Sequence, residues 1–172
     1  TDDAGNTATC SFSVTVEDNI DPQITCPADV TVDLNGNVTG GPATVISTGP
    51  CGLTLEYTAP VGTDNCDGAT TALTSGLGSG PNYYAYGGTY TEAYTVTDAA
   101  GNTDDCSFTI TVEDQVSPTI TCPSDLTVGN DPGVCGAVVT YSLPLAGDNC
   151  PGYTVMQTAG LPSGSLFPLG ST

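Results

Sequence analysis

The sequence predicts an all-β chain of tandem immunoglobulin-like β-sandwiches held by disulfides, and three observations predict it. Residues 1–18, TDDAGNTATCSFSVTVED, return almost unchanged as residues 97–114, TDAAGNTDDCSFTITVED. In both copies every second residue from the cysteine onward is apolar and those between are Ser or Thr, the period of a half-buried strand. Other short apolar runs are parted by turns rich in Gly, Pro, Asn and Asp, and no segment repeats at the helical period.

In chain order, the first strand signal is Cys10-Ser-Phe12-Ser-Val14-Thr-Val16, with its cysteine on the inward face. Further strands are expected at Gln23 to Cys26, Val30 to Leu34, Thr44 to Ser47, Leu53 to Tyr57, Tyr90 to Thr97 and Cys106 to Val112. Asn35-Gly36 is a two-residue turn signal and predicts a hairpin. That hairpin falls in an insertion. Cys10 to Cys106 and Cys26 to Cys122 are each 96 positions apart, whereas Cys51 to Cys135 and Cys66 to Cys150 are 84. One copy therefore carries extra residues between its first two cysteines. A repeat of this length, with about seven short strands, is the size of one immunoglobulin-like sandwich and not of a solenoid unit.

The repeat divides the chain in three. Residues 1–18 are a terminal strand completing a neighbouring repeat, 19–114 a complete repeat, and 115–172 an incomplete one completed by residues 1–18 of the next unit. The complementary ends point to a head-to-tail polymer of the chain with itself or to a slice of a tandem array. Aligning Thr172 with Thr89 and Thr1 with Thr97 leaves no counterpart of residues 90–96. Either that segment lies outside these residues or the junction packs differently from the complete bead.

Composition excludes whole classes of partner. The 172 residues contain no Lys, Arg or His and 19 Asp plus Glu, a formal charge of -19. Nucleic acid and anionic membrane surfaces are gripped by basic residues, so neither is a partner. No segment approaches the roughly 20 apolar residues of a membrane span, so no insertion is expected. The self-repulsion calls for bound cations, salt, or an extended shape. Disorder, the usual outcome of acidic Gly- and Pro-rich sequence, is opposed by 38% hydrophobic residues and the clean alternation.

Eight cysteines at recurring positions, without histidine or paired CxxC knuckles, read as disulfides formed outside the cytoplasm and not as zinc ligands. The local choice pairs Cys51 with Cys66 and Cys135 with Cys150. Cys26 and Cys106 are then left to join the first strand to the last. By the same rule Cys122 takes Cys10 of a neighbouring unit.

Two further stretches carry a family resemblance. Pro22-Gln-Ile-Thr-Cys26-Pro27-Ala-Asp29 and Pro118-Thr-Ile-Thr-Cys122-Pro123-Ser-Asp125 each follow Val-Glu-Asp. With Asp64-Asn65-Cys66 and the closing Val96-Thr-Asp98-Ala-Ala-Gly101-Asn102 to Cys106-Ser-Phe108 stretch, the chain resembles the hyalin repeat over essentially its whole length. The resemblance implies an immunoglobulin-like, disulfide-bonded extracellular or cell-surface module, common in adhesion proteins and built into long arrays. It also implies no catalytic residues.

Carboxylates and amides gather where repeats meet, and Asp18, Asp64, Asn65, Asp98, Asp114 and Asp148 are candidate ligands for Ca2+, which takes six to eight hard oxygens. The same residues also favour turns for backbone reasons alone. Asn37-Val-Thr39 is a formal N-glycosylation sequon on the predicted hairpin, which makes glycans a second candidate partner. Catalysis is opposed by the missing histidine and by thiols expected to be oxidised; paired carboxylates such as Asp104-Asp105 are the arrangement that acid–base chemistry would need. Two functions remain: a structural subunit of an extracellular filament, or a stalk or binding module of a larger adhesin or secreted enzyme.

Overall fold

The computed structural model describes residues 1–170; the last two residues of the expected incomplete repeat, 171–172, lie outside the described residues. The strands are β1 (Val30–Asp33), β2 (Val38–Gly40), β3 (Thr44–Gly49), β4 (Gly52–Glu56), β5 (Thr70–Ser75), β6 (Asn82–Ala85), β7 (Thr89–Thr97), β8 (Thr103–Glu113), β9 (Thr119–Thr121), β10 (Gly136–Val139), β11 (Leu145–Gly147) and β12 (Ser165–Pro168), with no helix among the described residues. One complete sandwich is formed, by β1 to β8. A five-stranded sheet ordered β2-β1-β8-β7-β5 faces a three-stranded sheet ordered β3-β4-β6.

The alternation in the sequence becomes the inner face of this sandwich. Val30 and Val32 of β1 and Phe108, Ile110 and Val112 of β8 are buried, as are Leu53 and Leu55 of β4 and Tyr84 of β6 opposite. Tyr57 stacks edge-on against Phe108 at 5.0 Å between ring centres, tying the sheets together. The expected hairpin forms at the Asn35-Gly36 signal, but through a three-residue loop, 34–36, and not a two-residue turn: the Gly36 N–H donates to the Asp33 carbonyl at 2.9 Å and only Gly36 takes a positive φ, 88°. Asp33 closes it, accepting the Asn35 and Asn37 backbone N–H groups on one oxygen (2.9 Å each) and the Asn37 amide on the other (2.6 Å).

The first and last strands of the sandwich, β1 and β8, run parallel with Val30 opposite Ile110. That register offset equals the 80-residue separation of Cys26 and Cys106, so the two cysteines arrive side by side just ahead of the paired segment and are bridged, Cα–Cα 5.5 Å. A cross-link over so long a loop restricts the unfolded chain strongly. Replacing both cysteines with alanine is expected to cost about 2 to 4 kcal/mol, read as a lowered melting temperature; an unchanged melt would show that the bridge adds nothing to the sheet pairing.

The structure departs from the sequence reading in several places. Gln23 to Cys26 makes only an isolated bridge, Gln23 to Thr63, and not a strand. β5 and β6 were not expected from periodicity, because β5 (TTALTS) lies largely exposed and β6 has only four residues. Residues 10–16 form no strand, for want of the two neighbours their copy in β8 has in β1 and β7. Residues 115–170 form two separate two-stranded ribbons, β9–β11 and β10–β12, and no second sandwich.

Candidate functional site

Three features of the sandwich and its flanks bear on function, and each grows from the repeat. The first is apolar exposure. Phe12, Val14 and Val16 are 86%, 77% and 92% exposed, whereas their copies Phe108, Ile110 and Val112 are 2% exposed or less. The later copy of β1 is open too: Leu126 and Val128, equivalent to Val30 and Val32, are 57% and 51% exposed. Cys10 and Cys122, equivalent to the bridged Cys106 and Cys26, are both exposed free thiols.

The second feature is the pole where the chain enters the sandwich. The Asp98–Asn102 turn between β7 and β8 clamps the entering segment, with the Asn102 amide donating to the carbonyls of Asp18 and Ile20 at 3.4 Å each. Oxygens of Asp18 and Asp64 and the sulfur of Cys66 lie within 4.8 Å of one another, and Asp64 Oδ1 is a buried acceptor with no donor among the described residues. Hydrogen bonding by Asp18, then burial and the nearby carboxylates, raises the Cys66 thiol above its ordinary range. Asp98 is not in this cluster. Its Oδ1 accepts the N–H groups of Ala100, Gly101 and Asn102 at 2.9, 2.6 and 2.8 Å, and its Oδ2 accepts the Asn102 amide at 2.7 Å. Burial works against the ionised form, but these donors outweigh it and hold the Asp98 carboxyl below its ordinary range. Asp98 is thus a turn-closing group, and Asn65 is exposed with its amide on the Cys66 sulfur at 3.2 Å.

The third feature is the opposite pole, where the sandwich meets the following segment. Asp114 Oδ1 accepts from Val116 N–H at 2.8 Å and from the Asn149 amide at 3.3 Å. Asp148 Oδ1 is again a buried acceptor without a donor, as Asp64 Oδ1 is at the first pole. The cysteine pairing by sequence proximity is corrected here. Cys51 lies beside the Tyr86 and Val112 end of the sandwich, through the Tyr86 N–H to Cys51 carbonyl bond (3.0 Å) and the neighbouring Gly87 to Val112 bond (3.1 Å). Cys66 lies at the Asp98 end. The nine residues of β7 separate those ends by about 27 Å at about 3.4 Å per residue, and a disulfide needs Cα atoms within about 7 Å. Cys51 and Cys66 are therefore both free, as are Cys135, which is exposed, and Cys150, which is buried against the Cys51 turn.

A family model described as the HYR domain matches residues 17–112, more than half of the chain and nearly the whole of the sandwich. The chain belongs to the HYR domain family. It is also similar to the hyalin of Strongylocentrotus purpuratus, 34% identical over 99% of this chain, and to the hyalin of Lytechinus variegatus, 33% identical over all of it. The chain spans 13% and 31% of the lengths of those two relatives. No solved structure matches. The HYR match ends at Val112, so it coincides with the sandwich that contains the bridged Cys26 and Cys106.

One residue of this HYR domain escapes sequence reasoning altogether. Glu92 of β7 is completely buried and accepts hydrogen bonds from Tyr57 (2.8 Å), Tyr84 (3.2 Å), and the N–H groups of Leu77 (3.0 Å) and Gly78 (2.8 Å). Burial first, then hydrogen bonding and the Glu92 charge, hold the Tyr57 and Tyr84 hydroxyls far above the ordinary tyrosine range. The only signal in the sequence is a lone acidic residue at an inward position of an alternating strand.

Proposed function

We propose that the chain is a structural subunit of an extracellular fibre built head to tail from HYR sandwiches. Residues 1–18 of one copy complete the 115–172 repeat of the next, and Cys10 bridges Cys122 across the joint. The observation that carries this reading is the exposed Phe12-Val14-Val16 face together with the open Leu126-Val128 face. Their equivalents in the sandwich pack against each other in the parallel β1–β8 pair. Burying three such side chains is worth roughly 5 to 8 kcal/mol. A charge of -19 is also better tolerated along a thin fibre than in a compact particle.

The test is electrophoresis with and without reductant, beside images of the native material. Discrete subunits give a ladder that collapses to 17.2 kDa on reduction; a large band that reductant does not shift places the joints within one longer polypeptide. Monomers alone, with no elongated particles, would end the fibre reading.

The unpartnered Asp64 oxygen beside Asp18 suits a calcium ion at the pole where the chain enters the sandwich, and the unpartnered Asp148 oxygen, next to the Asn149 that bonds Asp114, marks the repeat-equivalent place at the other pole. Millimolar calcium is expected to raise the melting temperature by several degrees over chelator, and Asp64→Ala to abolish part of that rise; superimposable melts would remove calcium from the account. A glycan on Asn37 would sit on the exposed β1–β2 hairpin after displacing the Asp33 hydrogen bond.

A further inference from the structure

We propose that Cys51 and Cys150 form a disulfide that locks the sandwich to the segment following it, so that successive repeats are joined side to side as well as through the chain. The Gly49-Pro50-Cys51-Gly52 turn of the β3–β4 hairpin reaches across to the Asp148-Asn149-Cys150 loop, and the two pieces of backbone hold each other reciprocally. The Cys51 thiol donates to the Asn149 carbonyl at 2.8 Å, the Cys150 thiol donates to the Pro50 carbonyl at 3.1 Å, and the Asn149 amide donates to the same Pro50 carbonyl at 3.0 Å. Cys150 is 2% exposed and belongs to the apolar core of the sandwich, against which Cys51 packs. Burial, then hydrogen bonding with Cys51 and Asp114, pushes the Cys150 thiol up to about 12.

The repeat extends the inference. Asp64-Asn65-Cys66 is the same loop one repeat earlier, with the Asn65 amide on the Cys66 sulfur just as the Asn149 amide lies on the Cys150 sulfur (3.2 and 3.4 Å). There, however, no hairpin covers it and Cys66 is exposed. Cys135, the repeat equivalent of Cys51, is exposed as well. The fitting partner for Cys66 is therefore Cys135 of a second copy of this chain. That extension, unlike the bond between Cys51 and Cys150, rests on the head-to-tail reading.

Formation of the bond joins the two sulfurs and breaks both S–H bonds. The two electrons and two protons pass to a small-molecule disulfide such as oxidised glutathione, which leaves as two thiols.

The reduced full chain is oxidised with glutathione, its remaining thiols are alkylated, and it is cleaved after Asp and Glu for mass spectrometry without reduction; trypsin has no site in this chain. The expected product is a peptide pair linking Cys51 to Cys150, lost in Cys51→Ser while the Cys26–Cys106 pair persists as the measure of correct folding. Cys51 linked to Cys66, or Cys51 and Cys150 both alkylated beside an intact Cys26–Cys106 pair, would overturn the proposal. Mixing isotope-labelled and unlabelled chains then reads the extension: a labelled-to-unlabelled Cys135–Cys66 pair supports it. A Cys51–Cys150 pair without any Cys135–Cys66 pair between copies overturns the extension and leaves the lock within one chain.

Discussion

Replacing Glu92 with alanine is expected to destabilise the sandwich by roughly 3 to 6 kcal/mol, a large share of the about 5 to 15 kcal/mol that holds an ordinary domain folded. Four donors converge on this carboxylate from three places: the Tyr57 hydroxyl just after β4, the Tyr84 hydroxyl of β6, and the backbone of Leu77 and Gly78 in the loop leaving β5. Removing the acceptor strands the Tyr84 hydroxyl and the Leu77 and Gly78 N–H groups at about 1 to 2 kcal/mol each, while the Tyr57 hydroxyl keeps only its bond to the Tyr94 hydroxyl (2.8 Å). No cation shares the burden, since the chain has no Lys, Arg or His. Alanine also leaves the Gly76 turn, which packs directly on the carboxylate, without its support. Thermal and urea melts measure the loss. Glu92→Gln, which keeps one carbonyl acceptor but places an amide N–H2 among donors, is expected to fall between the two. A cost below about 1 kcal/mol for alanine would mean that water satisfies the stranded groups and that the network is incidental to stability.

The sequence makes the inner face of the sandwich legible and its polar interior illegible, for physical reasons. Burial of alternate residues in β1, β4, β7 and β8 is forced by the period of two, so Val30, Val32, Leu53, Leu55, Ile110 and Val112 can be read directly. The hairpin after β1 is equally direct, because the positive φ at Gly36 is one that few residues other than glycine accept. β5 is not legible: its Thr-rich, largely exposed residues are held by pairing with β7, a tertiary fact. Glu92 shows in the sequence only as an acidic residue in an inward phase, and what satisfies it there, the hydroxyls of Tyr57 after β4 and Tyr84 of β6, is a tertiary fact. The cysteines divide on the same line. Cys106 lies on β8 and Cys26 a few residues ahead of β1, and those two strands pair in the fold, so strand logic suffices. Cys51 and Cys66 are close in sequence but at opposite poles, and only the placement of β7 between them shows why nearness along the chain misleads here. The carboxylates divide too, Asp98 serving its own turn while Asp64 and Asp148 keep unpartnered oxygens.

Val14→Asp is expected to abolish head-to-tail assembly while leaving the melting of the isolated sandwich unchanged. The side chain is 77% exposed, so a carboxylate there is fully solvated in the free chain and breaks no contact. Once residues 8–18 enter a neighbouring repeat, the same position becomes the counterpart of Ile110, which is fully buried between Val30 of β1 and Tyr90 of β7. Forcing an ionised group into that position costs several kcal/mol unless it is neutralised, and no basic residue exists anywhere in the chain to neutralise it. A loss of about 4 kcal/mol lowers affinity at each joint roughly a thousandfold, and a fibre multiplies that loss at every step. Sedimentation velocity reads the assembly and calorimetry the fold. Ile110→Asp supplies the contrast, since the same chemical change at the equivalent place in β8 is expected to unfold the sandwich itself. Fibres that persist in Val14→Asp would mean that the exposed face of residues 8–18 never becomes an inner face, and that the open Leu126-Val128 surface is covered by something other than a second copy.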